Sequence, residues 1–322
     1  MPPGRCGQRV VEIRNKPRRS ISVGIVSDDD PVNLDVPLSD LAPEEKAKRA
    51  GSFGGVASHY ERYRPGPPIA AVDWLLPPHV GRIVDLGAGT GALTRLLIDR
   101  ADEVVAVEPD DRMRSALSAE VPGVRPVIGR GESMPIPDRC ADAVLASSSW
   151  HWMDLVPTLR EVARILVPRG ILGVLWSGPD PEGSLIVEAQ ALLAGQRRSG
   201  GEADVTSGEA DVTSGEDGRR RSEFASLIMG DARRPGPSLE IPLGVPFDQP
   251  EHAVFTWDVA LNADELIGLL GTFSWIITMP EETRNGVIKE ARRLLRELLG
   301  VEGEATVDVA FRSDVWRSRR HD

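Results

Sequence analysis

The stretch IVDLGAGTGALTRLL, from Ile83 to Leu97, decides the fold. IVDL has the composition of a buried strand, Gly87, Gly89 and Gly91 break it, and Leu93, Leu96 and Leu97 resume at helical spacing. A strand that passes through glycines into a helix is the opening turn of a βαβ unit. Glycine there permits positive φ, lets a ligand lie on bare backbone, and leaves the first N–H groups of the helix facing it. Taken alone, the same glycines would also serve a tight βα turn with no ligand. Glu108 changes the balance: it ends the next strand about twenty residues on, where a carboxylate can accept both hydroxyls of a ribose.

Outward from this turn the chain alternates. The apolar pattern predicts strand 82–86, helix 91–100, strand 103–107, helix 110–119, strands 124–128 and 142–147, helix 154–166 and strand 171–176. That spacing means crossover connections and a parallel sheet, and the near-continuous apolar runs RIVDL, EVVAV and ILGVLW suit strands covered on both faces. The expected fold is α/β, a Rossmann-like doubly wound sheet, mostly parallel with an antiparallel last strand. Residues 49–178 form its core with an N-terminal helical cap, in which Val56, Tyr60 and Tyr63 share a face before Pro65; a second helix carries Ile69, Val72, Leu75 and Leu76. Residues 1–48, basic and then acidic with no sustained period, read as a disordered tail.

After the fifth strand the rhythm fails, and residues 179–245 form a long insertion. Its low-complexity linker, 195–222, contains GEADVTS at 201–207, again at 208–214, and a third start at Gly215. A seven-residue unit with only Ala and Val as apolar members is a poor coiled coil, so it reads as a dispensable duplication. Residues 246–322 complete the sheet: AVFTWDVAL at 253–261, helices near 263–271 and 281–299, and the alternating TVDVAFRSDVW, which reads as a half-exposed antiparallel edge.

Bulk properties narrow the partners. A net charge of −11 over 322 residues argues against a surface built for nucleic acid and for a small or neutral partner. Cys6 and Cys140 stand alone, without CxxC or metal-ligand spacing, so no metal is expected. No apolar run reaches the roughly 18 residues that span a bilayer, and no secretory leader is visible near Met1. The expected location is the cytoplasm, without membrane contact, as a monomer or homodimer.

Two ligands compete for the glycine loop. Gly87, Gly89 and Ala92 can be fitted to the GxGxxG/A pattern of a dinucleotide site, which would make the protein an NAD(P)-dependent oxidoreductase. Asp85, directly ahead of the glycines, would repel a pyrophosphate and suits an ammonium group. S-adenosylmethionine carries an amino group, a sulfonium and no phosphate.

Four segments in order, VDLGAGTG, VVAVEPDDRM, GRGESMPIPDRCADAVLASSSWHWMD and EVARILVPRGILGVLW, resemble the motifs of class I S-adenosylmethionine-dependent methyltransferases. ASSSWHW and the opening FGGVASHYERYRP are similar to the small-molecule branch that includes trans-aconitate methyltransferase. The resemblance covers about residues 52–178 and implies S-adenosylmethionine as cofactor. It implies that Gly87, Gly89 and Gly91 pack under the cofactor, Asp85 meets its amino group and Glu108 its ribose. Pro109 and Met113 would flank the adenosine, Gly131, Glu132 and Ser133 would meet the adenine edge, and Ala146 and Ser147 the methionine moiety. One departure stands out: LVPRGIL puts Arg169 where the family usually has glycine.

Methyl transfer is an in-line displacement at an activated sulfonium, so positioning supplies much of the rate and no nucleophile motif is needed. A base matters only for an acceptor that must lose a proton. His151, at the mouth of the fourth strand, is the candidate base, though a packing histidine would look the same. Trp150 and Trp152 could wall an acceptor pocket or belong to the core, one of each being expected. Tyr60 and Arg64 in the cap could close over the site, Arg64 pairing with the cofactor carboxylate or an acidic substrate. Phe273, Ser274 and Trp275 are the substrate-side candidates among the late elements. The expected activity is methyl transfer to a small-molecule carboxylate or hydroxyl, with a non-catalytic cofactor-binding regulator as a third alternative.

Overall fold

The computed structural model describes residues 9–10, 63–180, 238–272, 274–277, 280–299 and 304–322. The tail 1–48 apart from Arg9–Val10, the cap before Tyr63 with Tyr60, the 195–222 linker with most of the insertion, and Phe273 lie outside the described residues.

In chain order the elements are β1 (Arg9–Val10), α1 (Ile69–Leu75), β2 (Val80–Leu86), α2 (Thr94–Leu97) with a 3-10 turn at Ile98–Arg100, and β3 (Ala101–Val107). Next come α3 (Asp111–Glu120), β4 (Ala141–Ser147), a 3-10 turn at Trp150–Trp152, α4 (Leu155–Ile165) and β5 (Leu166–Pro179). The chain ends with β6 (Glu251–Asn262), α5 (Ala263–Leu270), α6 (Ser274–Ile277), α7 (Glu281–Leu299) and β7 (Thr306–Arg319).

The sheet order is β1-β6-β7-β5-β4-β2-β3. β3, β2, β4 and β5 are parallel, while β7 runs antiparallel to both β5 and β6. Both faces are covered, as the apolar runs require. On one face Ile83, Leu145 and Leu175 share a buried cluster with Val72 and Leu75 of α1 and Leu97 of α2. Val84, Val144 and Val174, adjacent to them on the same strands, share a second cluster with Leu159, Val162 and Ile165 of α4. A further apolar cluster joins Ile267 and Leu270 of α5 and Ala291 and Leu295 of α7 to Val309 and Phe311 of β7.

Three expectations are corrected. The strand expected at 124–128 shrinks to one parallel bridge, Val107 with Val127, because Pro126 has no N–H to donate to a ladder. The last strand is antiparallel but lies inside the sheet, with β6 on its outer side; its alternation reflects one face packed more tightly than the other, not an edge. The helix expected from residue 91 begins at Thr94, since Gly91 sits at φ +97°. Arg169 adopts φ +65°, the left-handed conformation that the family's usual glycine enters without strain, and its side chain reaches Asp248 at 3.2 Å.

Candidate active site

The C-terminal ends of β2, β3, β4 and β5 open into one cleft, the place where open parallel sheets bind ligands. The glycine turn forms its floor, and its glycines do different work. Gly87, at φ +70°, lies against Ser149: an added Cβ would stand 2.5 Å from the Ser149 Cβ. Ser149 is fixed there by donating its hydroxyl to the Leu86 carbonyl at 2.7 Å. Gly91 backs onto Leu117 of α3 and Val121 just past its end, away from the cleft. Gly89, at φ +57°, meets nothing within 4 Å, so bare backbone faces open space.

Two carboxylates frame the turn. Glu108 is 7% exposed; its Oε2 accepts the Gly89 N–H at 3.0 Å and its Oε1 the Asp110 N–H at 2.9 Å. Burial raises its carboxyl above the usual range against those two bonds. Asp85 is 1% exposed, and burial lifts its carboxyl to about 7, opposed by the Thr94 hydroxyl, which donates to Oδ2 at 2.6 Å. Its Oδ1 is buried and has no hydrogen-bond partner among the described residues.

The walls come from distant segments. Arg64, Pro65, Gly66 and Pro67 form one side, and Arg64 Nη2 donates to the Ser177 carbonyl at 3.4 Å. The ring of Tyr63, next to Arg64, sits directly on Gly268 of α5, where a Cβ would collide with it. The opposite side is the loop Gly129–Glu132, and Arg164 of α4 holds the segment that follows it. Its guanidinium donates to the carbonyls of Met134 and Ile136 and pairs with Glu161 and Asp138. Glu161 in turn accepts the Met134 N–H at 2.7 Å, and the Arg164 bond holds its carboxyl below the usual range.

Of the residues read from sequence, Asp85, Gly87, Gly89, Glu108, Pro109, Met113, Gly131, Glu132, Ser147, Arg64 and Trp152 line this cleft. Others are placed elsewhere. Ala146 and Trp150 are turned into the core, at 0% and 6% exposed, so of the two tryptophans Trp150 is the packing residue and not a substrate-side one, while Trp152 lines the cleft. Ser133 is tied to Arg130 by reciprocal backbone bonds, and Gly91 serves helix packing. His151 is outside the lining; its Nδ1 receives the indole N–H of Trp176 at 2.9 Å. Ser274 belongs to the short helix α6, as does the backbone of Trp275. Glu132 spends its side chain on the Asp154 N–H at the start of α4, at 2.7 Å, leaving its backbone toward the cleft. Sequence reading missed Ser148, which lines the cleft at φ +52°, and Met153, which lies beneath both Gly87 and Gly131. Ser148 lies within the ASSSWHW run but is not singled out there, and its N–H is held by the Leu175 carbonyl of β5 across the sheet; no local signal marks Met153.

A family model described as a methyltransferase domain matches residues 84–174. An uncharacterized methyltransferase of Mycobacterium tuberculosis is 33% identical over 244 residues, covering 76% of this chain and 85% of that protein. The chain belongs to the S-adenosylmethionine-dependent methyltransferases. An uncharacterized methyltransferase-like protein of Schizosaccharomyces pombe is 25% identical over 274 residues, 84% of this chain and 95% of its own length. Malonyl-[acyl-carrier protein] O-methyltransferase 1 of Coxiella burnetii is 32% identical over 99 residues, 30% of this chain and 34% of that enzyme. The cofactor of this methyltransferase is therefore S-adenosylmethionine, and the nicotinamide and purely regulatory alternatives are set aside. The cleft suits it: a buried carboxylate oxygen lacks a partner among the described residues, bare backbone at Gly89 adjoins open space, and a second carboxylate ends β3. Among the described residues no cluster of His, Cys, Asp or Glu could hold a metal ion, and no helix is long and apolar enough to cross a membrane.

Proposed function

We propose that this methyltransferase acts on a small-molecule acceptor and methylates it at oxygen, on a carboxylate or a hydroxyl, as in the small-molecule branch that its ASSSWHW segment resembles. The cofactor supplies an activated methyl group. The chain's own residues then bind, orient and exclude water. Asp85 Oδ1 would receive the amino group, Glu108 would add the ribose hydroxyls to the backbone bonds it already accepts, and Pro109 and Met113 would flank the adenosine. Backbone at Gly131 and Glu132 would meet the adenine edge, and Ser147 the methionine moiety. Arg64 would pair with a carboxylate of the cofactor or of the acceptor.

The observation that carries the acceptor reading is the set of walls beside Ser147–Ser149. Trp152, Met153, Ser177 and the Arg64–Pro67 segment close in on the turn. They offer a confined cleft with apolar sides and the cation of Arg64. A nucleic acid would need a basic face, whereas the chain carries a net charge of −11. The O-methyltransferase named above supports oxygen as the acceptor atom. We also place the enzyme in the cytoplasm. Incubation with methyl-labelled S-adenosylmethionine and a metabolite extract, followed by mass analysis, tests the reading. Label should enter one or a few small acids or alcohols; label confined to macromolecules would overturn it.

A further inference from the structure

Given the small-molecule reading above, on which this rests for the nature of the ligand, we infer that Ser148 is an acceptor-binding residue: a strained serine at the end of β4 whose hydroxyl donates a hydrogen bond to the acceptor. Ser148 lines the cleft, half-buried, at φ +52°. That left-handed conformation strains any residue with a Cβ and leaves glycine at ease. Among the described residues five glycines take a positive φ, and only three other residues do, Arg139, Ser148 and Arg169. Arg139 is exposed and Arg169 directs its side chain to Asp248, so of the three only Ser148 belongs to the cleft. Strain of this kind persists where the surroundings impose it, and it gathers at functional sites. A serine held where glycine would fit better is there for its side chain.

The clamps that impose the strain stand on both sides of it. Ser147 still pairs with Leu175 of β5, and the Ser148 N–H donates to the Leu175 carbonyl at 2.8 Å. One residue on, Ser149 is buried against Gly87, and its hydroxyl donates to the Leu86 carbonyl of β2 at 2.7 Å. Ser148 therefore bridges two fixed points, with its N–H spent and its hydroxyl making no hydrogen bond to another described residue. Of the segments that wall the cleft here, Ser147–Ser149, Trp152–Met153, Ser177 and Arg64–Pro67, none brings a carboxylate, a lysine or a histidine to the lining. None of these side chains is a base at neutral pH, so the reacting oxygen of the acceptor arrives already ionised and the walls can offer it only donors. A hydroxyl that donates to a neighbouring oxygen of the acceptor holds the reacting one in line with the methyl group. One bond then forms from that oxygen to the methyl carbon, the carbon–sulfur bond breaks with its electron pair going to sulfur, and no proton moves.

The test compares Ser148→Gly with Ser148→Ala in the full chain, since both remove the hydroxyl and only glycine relieves the backbone. Ser148→Gly should melt above Ser148→Ala by about 2 °C and no lower than the wild type. Both variants should nevertheless lower kcat/KM for the acceptor found by labelling by about tenfold or more, the order of one hydrogen bond to a charged group. Calorimetric affinity for S-adenosylmethionine should stay unchanged in both. Wild-type kcat/KM in Ser148→Gly would overturn the inference, because the serine would then be no more than a turn residue. A cofactor affinity that falls as far as kcat/KM would overturn it by moving the hydroxyl to the cofactor side. A Ser148→Gly that melts below Ser148→Ala would overturn it as well, by showing that the turn holds no strain. Failure of the small-molecule reading is distinct: it shows in the wild type alone, as label confined to macromolecules, and would remove this inference with it.

Discussion

Asp85 lies in the buried part of β2 with one carboxylate oxygen bonded to Thr94 and the other unpartnered among the described residues. Burial raises its carboxyl from the usual range to about 7. In the ligand-free chain, then, the folded state holds a proton that the unfolded state releases above about pH 4. Stability conferred at this position falls as pH rises between about 4 and 7. Binding a cationic amino group favours the ionised form, so it displaces that proton. Affinity for S-adenosylmethionine should rise by at most about tenfold per pH unit from roughly pH 5.5 to 7 and then flatten. Calorimetry should show Asp85→Asn without that slope, and an unchanged slope in the variant would assign it elsewhere. The glycines separate by contact in the same way. Gly87→Ala drives a Cβ into Ser149 at a positive φ and should lower Tm, while Gly89→Ala meets no packed atom, carries only the strain of its φ of +57°, and should lower Tm less while weakening cofactor binding. Sequence alone could mark all three glycines but could not divide them, because Ser149 and Leu117 come from far along the chain. It could not sort Trp150 from Trp152 either, since both sit in one 3-10 turn and only the packing of α4 shows which one turns inward.

The elements that shape the cleft are held by residues that never touch it. Arg164 on α4 ties down the Met134–Asp138 segment behind the Gly129–Glu132 wall, and Glu161 completes the tie. Arg164→Ala should loosen that wall and weaken S-adenosylmethionine binding by about tenfold, the order of one lost charge-assisted bond. The Glu161 carboxyl lies below its ordinary value, so its contribution is present above about pH 4 and fades as pH falls through the folded value. On the other side, Gly268 of α5 leaves room for the Tyr63 ring, which sits beside Arg64 and Pro65. Gly268→Ala should displace that ring and raise the KM for cofactor while far-ultraviolet circular dichroism stays unchanged; unaltered kinetics would show the contact to be unimportant. The strands and helices themselves were legible from apolar runs and their lengths. The supports were not, since Arg164 reads as an ordinary helix-surface arginine and Gly268 as a weak point in a helix.

At the scale of the molecule, crossover chirality and apolar strands covered on both faces lead to the parallel part of the sheet, and those features are written locally. The place of β7 is not. Alternation along TVDVAFRSDVW fits an inner antiparallel strand as well as an edge, and only its pairing with β6 decides. The segment at 124–128 misleads for the opposite reason: its valines suggest a strand, and Pro126 removes the donor that a ladder needs. The duplicated GEADVTS unit offers almost nothing apolar to bury, so deleting residues 201–214 should leave Tm and cofactor affinity unchanged, and a shift in either would give the repeat a role. The central claim is that Asp85 and Glu108 make this cleft the S-adenosylmethionine site, and one calorimetric series tests it most directly. The wild type should bind S-adenosylmethionine at one saturable site, with Asp85→Asn and Glu108→Ala each weakening it at least about tenfold and both variants remaining folded. Wild-type affinity in both would contradict the account.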